Sequence, residues 1–246
     1  MTVRIELGDG VAGLESLARG SVGLVLSDLP SGQTLADHDK PPDFPRFWPA
    51  VWRALRPNGV AVLMASNLPF AAAVYASQRT RYRYDIVWHK SLAVGFLNVR
   101  HRPLRAHEFV LVFCRTAGTY HPQRTHGHVP ISTNGERGAL GSVNYGTSHA
   151  TDVSRPRGRA RAGATDRFPR SVLSFGSLGT SDRRRVHPQQ KPEDLMRWCV
   201  RTYSDPGELV VDPYAGSGSA GSAAEAEGRR FAGWDVNPKF GVDPLS

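Results

Sequence analysis

Short apolar runs alternate along most of the chain with longer stretches in which apolar residues recur every three or four positions. Continuous short runs are typical of buried strands, and the periodic stretches are typical of amphipathic helices. The pattern predicts strands at 3–7, 22–26, 60–65, 84–89, 109–114, 209–211 and 230–234. It predicts helices at 11–18, 44–55, 70–78, 192–202 and 219–226. Because strands and helices alternate, we predict an α/β fold with a doubly wound, mostly parallel sheet.

Three of the predicted strands end at or just before an aspartate. Residues 22–26 precede Asp28, residues 209–211 precede Asp212, and residues 230–234 precede Asp235. In an open α/β sheet, ligands bind in a crevice at the carboxyl ends of the strands. We therefore expect these three aspartates to converge on one crevice, although they are far apart in the sequence.

The turn after residues 209–211 has the composition of a cofactor-binding loop. Gly216, Ser217 and Gly218 carry no bulky side chains, so their backbone can approach a ligand closely. A predicted helix begins directly after the turn. Asp235 follows about 20 residues later, where an acidic side chain commonly binds the ribose hydroxyls of an adenosine. Loop, helix and aspartate together predict a site for an adenosine-bearing cofactor.

The same turn, Gly216-x-Gly218-x-x-Gly221, also matches the dinucleotide-binding pattern. That pattern normally opens a domain and is followed by several strand–helix units, whereas here most of the predicted elements precede it. The rest of the sheet must come from these earlier residues, which implies a permuted order of elements. The placement disfavours a nicotinamide-dependent oxidoreductase, which remains the weaker alternative.

The charge of the chain indicates what kind of partner it has. The net charge is +9 and the isoelectric point is about 10.1, which favours a polyanion. Twelve arginines and four acidic residues fall between positions 115 and 185, a stretch rich in Gly, Ser and Thr and poor in apolar periodicity. We predict that residues 116–186 form a loop-rich basic insertion that contacts nucleic acid. The alternative is a solvated surface loop.

Other features predict an intracellular protein without a membrane segment. Residues 1–20 alternate charged and apolar positions rather than forming a signal peptide, and the apolar run 59–65 is too short to span a bilayer. Cys114 and Cys199 lie in no paired motif, so we expect buried thiols in a reducing compartment. The nine histidines show no metal-ligand spacing, and no metal is predicted. The expected location is the cytoplasm, in association with the nucleoid.

Four segments resemble, in this order, the motifs of one enzyme family. Gly8-Asp9 and Ser27-Asp28-Leu29-Pro30 are similar to its GD and DPPY/DLPY elements. His187-Pro-Gln-Gln-Lys-Pro192 is similar to its HPTQKP segment, and Asp212-Pro-Tyr-Ala-Gly-Ser-Gly-Ser219 resembles its DPFAGSGT loop. The family is that of the beta-type amino-methylating DNA methyltransferases, in which the catalytic motif precedes the cofactor loop. The resemblance covers most of the chain outside residues 116–182.

The resemblance implies a Rossmann-like methyltransferase sheet with a permuted motif order, S-adenosyl-L-methionine as the cofactor, DNA as the partner, and a setting in restriction-modification. It implies a catalytic half at 1–115, a target-recognition insertion at 116–186 and a cofactor-binding half at 187–246. The implied amine site is Asp28, Leu29, Pro30 and Ser31. The implied cofactor-binding residues are Asp9, His187, Lys191, Asp212, Pro213, Tyr214, Gly216, Gly218 and Asp235. The implied DNA-binding residues are Arg155, Arg157, Arg159, Arg161, Arg183, Arg184 and Arg185.

Methyl transfer to an exocyclic amine explains why the motif carries these residue types. A carboxylate and a backbone carbonyl that accept the two amine hydrogens make the nitrogen more nucleophilic. Asp28, at a strand end, is expected to supply the carboxylate. Pro30 lacks a backbone N–H and has a fixed φ, so we expect it to aim the preceding carbonyls. The amine cannot be reached inside a duplex, so the base would be flipped out.

The fourth motif position departs from the family pattern, because it holds Ser31 where an aromatic ring normally stacks on the flipped base. Such stacking contributes roughly 1–3 kcal/mol per base. Phe44, Phe47, Trp48 and Phe96 are the candidates for a substitute ring. Without one, the chain would be a catalytically impaired cofactor- and DNA-binding paralogue. Asp at the first motif position favours adenine-N6 over cytosine-N4 methylation, and the oligomeric state stays open, with a homodimer as one candidate.

Overall fold

The computed structural model of the chain describes residues 4–33, 39–130, 163–177 and 190–241. The chain divides into two compact units. The first combines Met1–His121 with Arg170–Ser246, and the second is Pro122–Pro169. All named helices and strands belong to the first unit.

A mixed sheet of eight strands forms the centre of the first unit within the described ranges. The strands are β1 (Glu6–Leu7), β2 (Val22–Asp28), β3 (Leu55–Ala65), β4 (Tyr82–Val94), β5 (Arg105–Cys114), β6 (Val172–Phe175), β7 (Leu209–Asp212) and β8 (Arg230–Asp235). Their spatial order is β1-β8-β7-β2-β3-β5-β4-β6. Neighbouring strands are parallel except where β5 pairs with β3 and β4. The predicted mostly parallel sheet with permuted element order is confirmed.

Helices cover both faces of this sheet, as a doubly wound fold requires. They are α1 (Gly10–Ser16), α2 (Phe44–Ala54), α3 (Leu68–Ser77), α4 (Glu193–Tyr203) and α5 (Ser219–Ala226). One buried cluster joins α1, α2 and α3 to the sheet, and a second joins α4 and α5 to its other face. Strand β2 contributes Val25 to the first cluster and Leu24 and Leu26 to the second. Burial on both faces explains its continuous apolar run.

None of the described helices combines the length and apolar character that crossing a bilayer requires. Cys114 and Cys199 are both buried free thiols, as the absence of a paired cysteine motif predicts.

The turn Pro57-Asn58-Gly59 marks a bulge inside β3, whereas the sequence predicts that it separates helix from strand. Leu55 pairs with Val22, and Val60 pairs with Leu24. The additional residues between these pairs bulge out while the strand stays in the sheet on both sides. The strand therefore begins five residues earlier than the apolar run at 60–65.

Strand β6 lies inside the segment that the sequence predicts as a loop-rich insertion. It pairs in parallel with β4, and Val87 is opposite Val172. Its side chains alternate between exposed and half-buried, as in a strand at the edge of a sheet. Four residues of alternating character among arginines give too short a pattern to be distinguished from a loop.

The second unit is small, and its described residues are held together by a few polar contacts. Thr125 and Arg167 form an antiparallel bridge. Arg124 forms an ion pair with Asp166, and its guanidinium lies 4.1 Å from the centre of the Phe168 ring. Arginine thus serves internal contacts in this unit.

Candidate active site

The carboxyl ends of β2, β7 and β8 lie side by side at one edge of the sheet. β7 is paired in parallel with both β2 and β8, which aligns the three ends. The Ser27 hydroxyl donates a hydrogen bond to Oδ1 of Asp212 at 2.6 Å. The Gly216 N–H donates to Oδ2 of Asp235 at 2.8 Å. The structure therefore brings together the strand ends that carry Asp28, Asp212 and Asp235.

The loop between β7 and α5 uses glycine for a conformational reason. Gly216 and Gly218 have φ values of 48° and 76°, in the left-handed region that other residues rarely adopt. Beyond its chain neighbours, a Cβ built at Gly216 would have the Tyr214 carbonyl oxygen as its nearest atom, at 4.0 Å. Open space therefore lies beside the backbone next to the Asp235 carboxylate. This space, the glycine backbone and the carboxylate fit an adenosine-bearing cofactor.

The start of α1 packs directly on this loop. A Cβ built at Gly10 would lie 1.8 Å from the Pro213 carbonyl oxygen, so only glycine fits there. Asp9 caps the helix by accepting a hydrogen bond from the Ala12 N–H at 2.7 Å, and it forms an exposed ion pair with Arg46. The structure thus places the Gly8-Asp9 element beside the cofactor loop. A contact between Asp9 and a cofactor stays a prediction.

Asp212 is a buried carboxyl group at the centre of the site. Its Oδ1 accepts hydrogen bonds from the Ser27 hydroxyl and from the Tyr214 N–H, the latter at 3.0 Å. Burial raises the pKa of Asp212 to about 7, although these two hydrogen bonds oppose the rise. The bonds give Asp212 a structural role, because they tie the end of β2 to the cofactor loop. A direct contact with the cofactor stays a prediction.

Tyr214 packs into the core behind the same loop. Its ring centre lies 6.3 Å from that of Phe47, and the ring is partly buried. Burial raises the pKa of its hydroxyl above the ordinary value, with the Asp9 carboxylate adding to the rise. Packing in the core is therefore its observed role, and a contact with the sulfonium group stays a prediction.

Asp28 forms one end of a chain of four charged side chains. Its Oδ2 accepts a hydrogen bond from the Lys191 ammonium at 2.6 Å. The same ammonium lies 3.2 Å from Glu108, which also forms an ion pair with Lys90. Lys191 is 8% exposed and Asp28 is 32% exposed. The chain therefore runs from a buried interior to a carboxylate that is partly exposed at the end of β2.

The electrostatics of this cluster keep its buried members charged. Burial lowers the pKa of Lys191, but the two carboxylates raise it further, so the net pKa lies above the ordinary value. Burial raises the pKa of Glu108, and the two ammonium groups lower it by more. Burial raises the pKa of Asp28, and Lys191 opposes that rise without cancelling it, so the net pKa lies above the ordinary carboxyl value. Lysine thus favours the ionised form of Asp28 in a place where burial disfavours it.

The geometry leaves one oxygen of Asp28 available. Lys191 is bound at Oδ2, and no donor from the described residues reaches Oδ1. An ionised carboxylate accepts hydrogen bonds on both oxygens. Asp28 can therefore accept a hydrogen from a ligand amine while Lys191 fixes its orientation.

The remaining motif residues form a turn after Asp28. The Leu29 side chain is buried in the core, so only its backbone is free to contact a ligand. The N–H groups of Ser31 and Gly32 both donate to Oδ1 of Asp39, at 2.8 and 2.9 Å. Asp39 thus holds the turn in shape, and Pro30 and Ser31 stay partly exposed.

Two of the four candidate aromatic residues lie in the core. Phe47 and Trp48 are 0% and 3% exposed and pack edge to face at 5.2 Å. Phe44 packs edge to face on Phe47. Only Phe96 is well exposed, in the turn between β4 and β5. Neither Phe47 nor Trp48 is therefore free to stack on a base.

The structure gives Lys191 a partner that the sequence does not predict and adds residues to the site. The sequence implies that Lys191 binds the cofactor. In the structure its ammonium binds Asp28, and a contact with the cofactor stays a prediction. Glu108, Lys90 and Asp39 were missed. The only sequence signal for the first two is a pair of opposite charges at the ends of adjacent predicted strands.

Several expectations fall outside the described residues or stay untested. His187 and the arginines predicted to bind DNA lie outside the described ranges. Those arginines are Arg155, Arg157, Arg159, Arg161, Arg183, Arg184 and Arg185. The domain boundaries, the homodimer and the nucleoid association also stay predictions.

Comparison with known sequences gives one family over most of the chain. A sequence model of the family described as DNA methylase matches residues 43–241. The type II methyltransferase M.XycI of Xanthomonas campestris pv. cyanopsidis is 27% identical over 158 residues, which are 64% of this chain and 41% of that protein. The DNA adenine methyltransferase YhdJ of Escherichia coli K12 is 44% identical over 54 residues, which are 22% of this chain and 18% of that protein. The chain thus spans less than half the length of these curated relatives.

Comparison with solved structures shows the same fold at low sequence identity. The structure of M1.HpyAVI in complex with SAM matches with a TM-score of 0.61 and 17% identity, covering 97% of this chain and 95% of that one. The cytosine-N4-specific PvuII DNA methyltransferase matches with a TM-score of 0.61 and 18% identity, covering 95% and 82%.

Proposed function

The chain belongs to the DNA methylase family whose sequence model covers residues 43–241, and from that premise we propose that it is an S-adenosyl-L-methionine-dependent DNA methyltransferase. We propose that it methylates the N6 amine of adenine by direct in-line transfer to a base flipped out of the duplex. One observation carries the proposal: the Ser27–Asp212 hydrogen bond joins the Asp28 strand end to the loop of Gly216. A methyl donor at the loop and an acceptor amine at Asp28 would then face each other.

The cofactor side of the site is formed by the loop after β7 and the end of β8. Gly216 and Gly218 let the backbone approach the cofactor, and Asp235 would accept hydrogen bonds from the ribose hydroxyls. Pro213 and Tyr214 hold the loop against Gly10 and the core. When bound, the sulfonium cofactor supplies the activated methyl group.

The acceptor side is formed by Asp28 and the turn that follows it. Oδ1 of Asp28 would accept one amine hydrogen, and the Leu29 carbonyl would accept the other. Both contacts draw the nitrogen lone pair out of the ring and aim it at the methyl group. Because Lys191 occupies Oδ2, the carboxylate is oriented before the base arrives. After transfer, the nitrogen would lose the proton whose hydrogen bond Oδ1 of Asp28 already accepts.

Ser31 supports a second candidate, a cofactor- and DNA-binding paralogue with impaired catalysis. No ring stands at this position, and Phe47 and Trp48 are packed in the core. A base held without stacking loses roughly 1–3 kcal/mol of binding. Among the relatives, YhdJ is named for adenine and the PvuII enzyme for cytosine-N4. Cytosine-N4 methylation is therefore the alternative for the base.

The proposal is tested by incubating the purified protein with S-adenosyl-L-methionine and unmethylated DNA, followed by mass spectrometry of the nucleosides. We expect N6-methyladenine from the native chain and at least about a hundredfold less from Asp28→Asn, which keeps the shape of the side chain but loses the carboxylate charge. The exposed Glu193→Gln serves as the matched control and should stay fully active.

Each alternative has its own result in this experiment. N4-methylcytosine in place of N6-methyladenine would replace the proposed base. Product from Ser31→Tyr but not from the native chain would favour the impaired paralogue. Calorimetric binding of S-adenosyl-L-methionine without product from either protein would overturn the catalytic proposal.

A further inference from the structure

The end of β4 and the turn that joins it to β5 present apolar side chains to solvent. We call residues 91–104 the hairpin tip. Phe96 and Leu97 are 75% and 97% exposed, and Leu92, Val94 and Val99 are also exposed. Single exposed apolar residues are ordinary, but a contiguous group of large ones marks a surface for interaction.

Hydrogen-bonded turns give the hairpin tip a defined shape. Gly95 has a φ of 96°, and a short 3₁₀-helix, Phe96–Asn98, follows it. The Asn98 N–H donates to the Gly95 carbonyl at 2.9 Å, and the His101 N–H donates to the Asn98 carbonyl at 2.9 Å. The tip therefore holds Phe96 and Leu97 outward in advance, and binding need not order it.

The charge of this segment indicates the partner. Residues 86–107 contain four lysines or arginines and neither aspartate nor glutamate. Arg100 and Arg102, which follow the apolar residues, are both exposed. Apolar side chains flanked by cations match a polyanion with an apolar interior, which is the character of a DNA duplex.

The hairpin tip adjoins the charged cluster that binds Asp28. Lys90 immediately precedes it on β4, and Glu108 on β5 forms an ion pair with Lys90. Glu108 lies next to Lys191, which binds Asp28. The two strands thus contribute the charged cluster behind Asp28 and then continue into the tip at the same edge of the sheet.

We propose that the hairpin tip inserts Phe96 and Leu97 into the DNA duplex beside the target base, with Arg100 and Arg102 on the flanking phosphates. This inference rests on the proposed function. A flipped base leaves a gap in the stack, and unstacking costs free energy. Apolar wedges such as Phe and Leu fill such gaps and stabilise the opened duplex.

Photocrosslinking tests whether the tip contacts DNA. Leu97→Cys is labelled with a benzophenone maleimide and irradiated with a fluorescent duplex of mixed sequence. Both natural cysteines are buried, so the label is directed to position 97. The matched control is Thr80→Cys, an exposed position at the opposite, amino end of β4. We expect a protein–DNA adduct from position 97 at about tenfold or more the yield from position 80.

Every other outcome of the crosslinking overturns the proposal. If anisotropy shows that the labelled protein binds the duplex but position 97 forms no adduct, the tip lies away from DNA. Equal adducts from positions 97 and 80 would show contact without a preferred surface. A protein–protein adduct in place of the DNA adduct would assign the tip to a second copy of the chain.

Kinetics test whether the tip acts by opening the duplex. Leu97→Ser changes a fully exposed side chain, so its thermal unfolding should match that of the native chain. We expect its methylation rate on a paired duplex to fall about tenfold or more, because the stack is no longer filled. A duplex with an abasic site opposite the target base is already open there, and on it the variant should recover to within about twofold of the native chain.

The two experiments separate this inference from the function on which it rests. If Leu97→Ser loses methylation rate equally on the paired duplex and on the abasic duplex, or loses it on neither, the proposed wedge is overturned. If the native chain methylates no DNA, the proposed function fails, while the crosslink from position 97 still decides whether the tip contacts a duplex.

Discussion

At the scale of single residues, the central feature is a carboxylate held by a buried lysine. Asp28 is partly exposed at the end of β2, and Lys191 binds one of its two oxygens at 2.6 Å. Glu108 adds a second negative charge on the far side of the same ammonium. Burial raises the pKa of Asp28 above its ordinary value, Lys191 opposes that rise, and Glu108 adds to it. Because the proposed chemistry needs an ionised Asp28, these neighbours should set the pH range of activity.

Substitutions on the two neighbours should move the acidic limb of the pH–rate profile in opposite directions. Lys191→Met removes the cation that favours ionised Asp28, so the limb should move to higher pH by about one unit or more. Glu108→Gln removes a like charge, so the limb should move to lower pH. The measurement is kcat against pH at saturating cofactor and DNA.

A charge-conserving variant distinguishes this effect from damage to the fold. Lys191→Arg keeps the cation and should leave the acidic limb in place even if it lowers kcat. Breaking a buried ion pair destabilises by about 3–5 kcal/mol, so each variant is first compared with the native chain by thermal unfolding. Shifts in the same direction for Lys191→Met and Glu108→Gln would contradict the assigned roles.

The sequence indicates some of these residues and conceals others. Asp28, Asp212 and Asp235 could be predicted because each ends an apolar run, and parallel strands share their carboxyl edge. Lys90 and Glu108 could not, because their contact depends on the antiparallel register of β4 and β5. The partner of Lys191 could not be predicted either, because its ammonium reaches across from the residue before Pro192 to the end of β2.

At the scale of elements, the contact between α1 and the cofactor loop is the tightest feature of the site. A Cβ at Gly10 would overlap the Pro213 carbonyl group. A Cβ at Gly13, one turn later, would lie 2.3 Å from the Trp234 ring. Glycine at these two positions lets α1 lie directly on the end of β8 and on the loop that follows β7. The helix and the loop therefore cannot move independently.

Gly10→Ala should weaken cofactor binding without touching the cofactor itself. The methyl group must displace Pro213, and with it the loop of Gly216, so we expect affinity for S-adenosyl-L-methionine to fall about tenfold or more. Overpacking of this kind also destabilises by about 1–3 kcal/mol. Calorimetry and urea unfolding measure the two effects.

The matched control is Gly176→Ala, because a Cβ there would have its nearest neighbour at 3.9 Å. It should leave affinity and stability unchanged. Native affinity in a folded Gly10→Ala protein would show that the loop tolerates displacement and would remove this contact from the site.

The helices and most strands could be predicted to within a few residues, since periodicity and buried runs are local signals. β3 was predicted too short because its bulge places Pro57 and Gly59 within a strand. The sequence does not predict β6, because this strand is stabilised by its pairing with β4 rather than by its own composition. The predicted strands 84–89 and 109–114 are likewise shorter than β4 (Tyr82–Val94) and β5 (Arg105–Cys114). These errors arise where a neighbouring strand, not the local sequence, determines the backbone.

At the scale of the whole molecule, the two halves of the site are joined by one buried titrating group. Asp212 has a pKa of about 7 in the fold, raised by burial, against about 3.9 in an unfolded chain. The folded state therefore binds the proton more tightly. The stabilisation that comes from this tighter proton binding is complete below about pH 4 and is lost as the pH rises through about 7.

Comparison with Asp212→Asn should reveal this loss as a pH-dependent difference in the free energy of unfolding. The native chain should lose stability relative to the variant between about pH 4 and 7, by about 4 kcal/mol at most. Above pH 7 the difference should level off. Urea unfolding at fixed ionic strength measures it.

Glu227→Gln is the control for this experiment. Burial raises the pKa of Glu227, but Arg197 and Arg201 lower it by more, so the group is ionised in both states at pH 5–8. The difference in the free energy of unfolding between Glu227→Gln and the native chain should therefore stay constant over this pH range. An equally flat profile for Asp212→Asn would mean that Asp212 is ionised in the native fold.

The first and last strands of the described residues are hydrogen-bonded neighbours. β1 pairs with β8, and Gly241 lies so close to Leu7 that a Cβ there would approach the Leu7 Cα to 2.7 Å. A protein made of residues 7–241 alone could therefore be closed into a ring by a short peptide linker, and the ring could be reopened in any exposed connection. Such a protein would be translated with the glycine loop ahead of Asp28, yet every strand would keep its partners. The order of the segments in the gene could thus change while the architecture of the site stays the same.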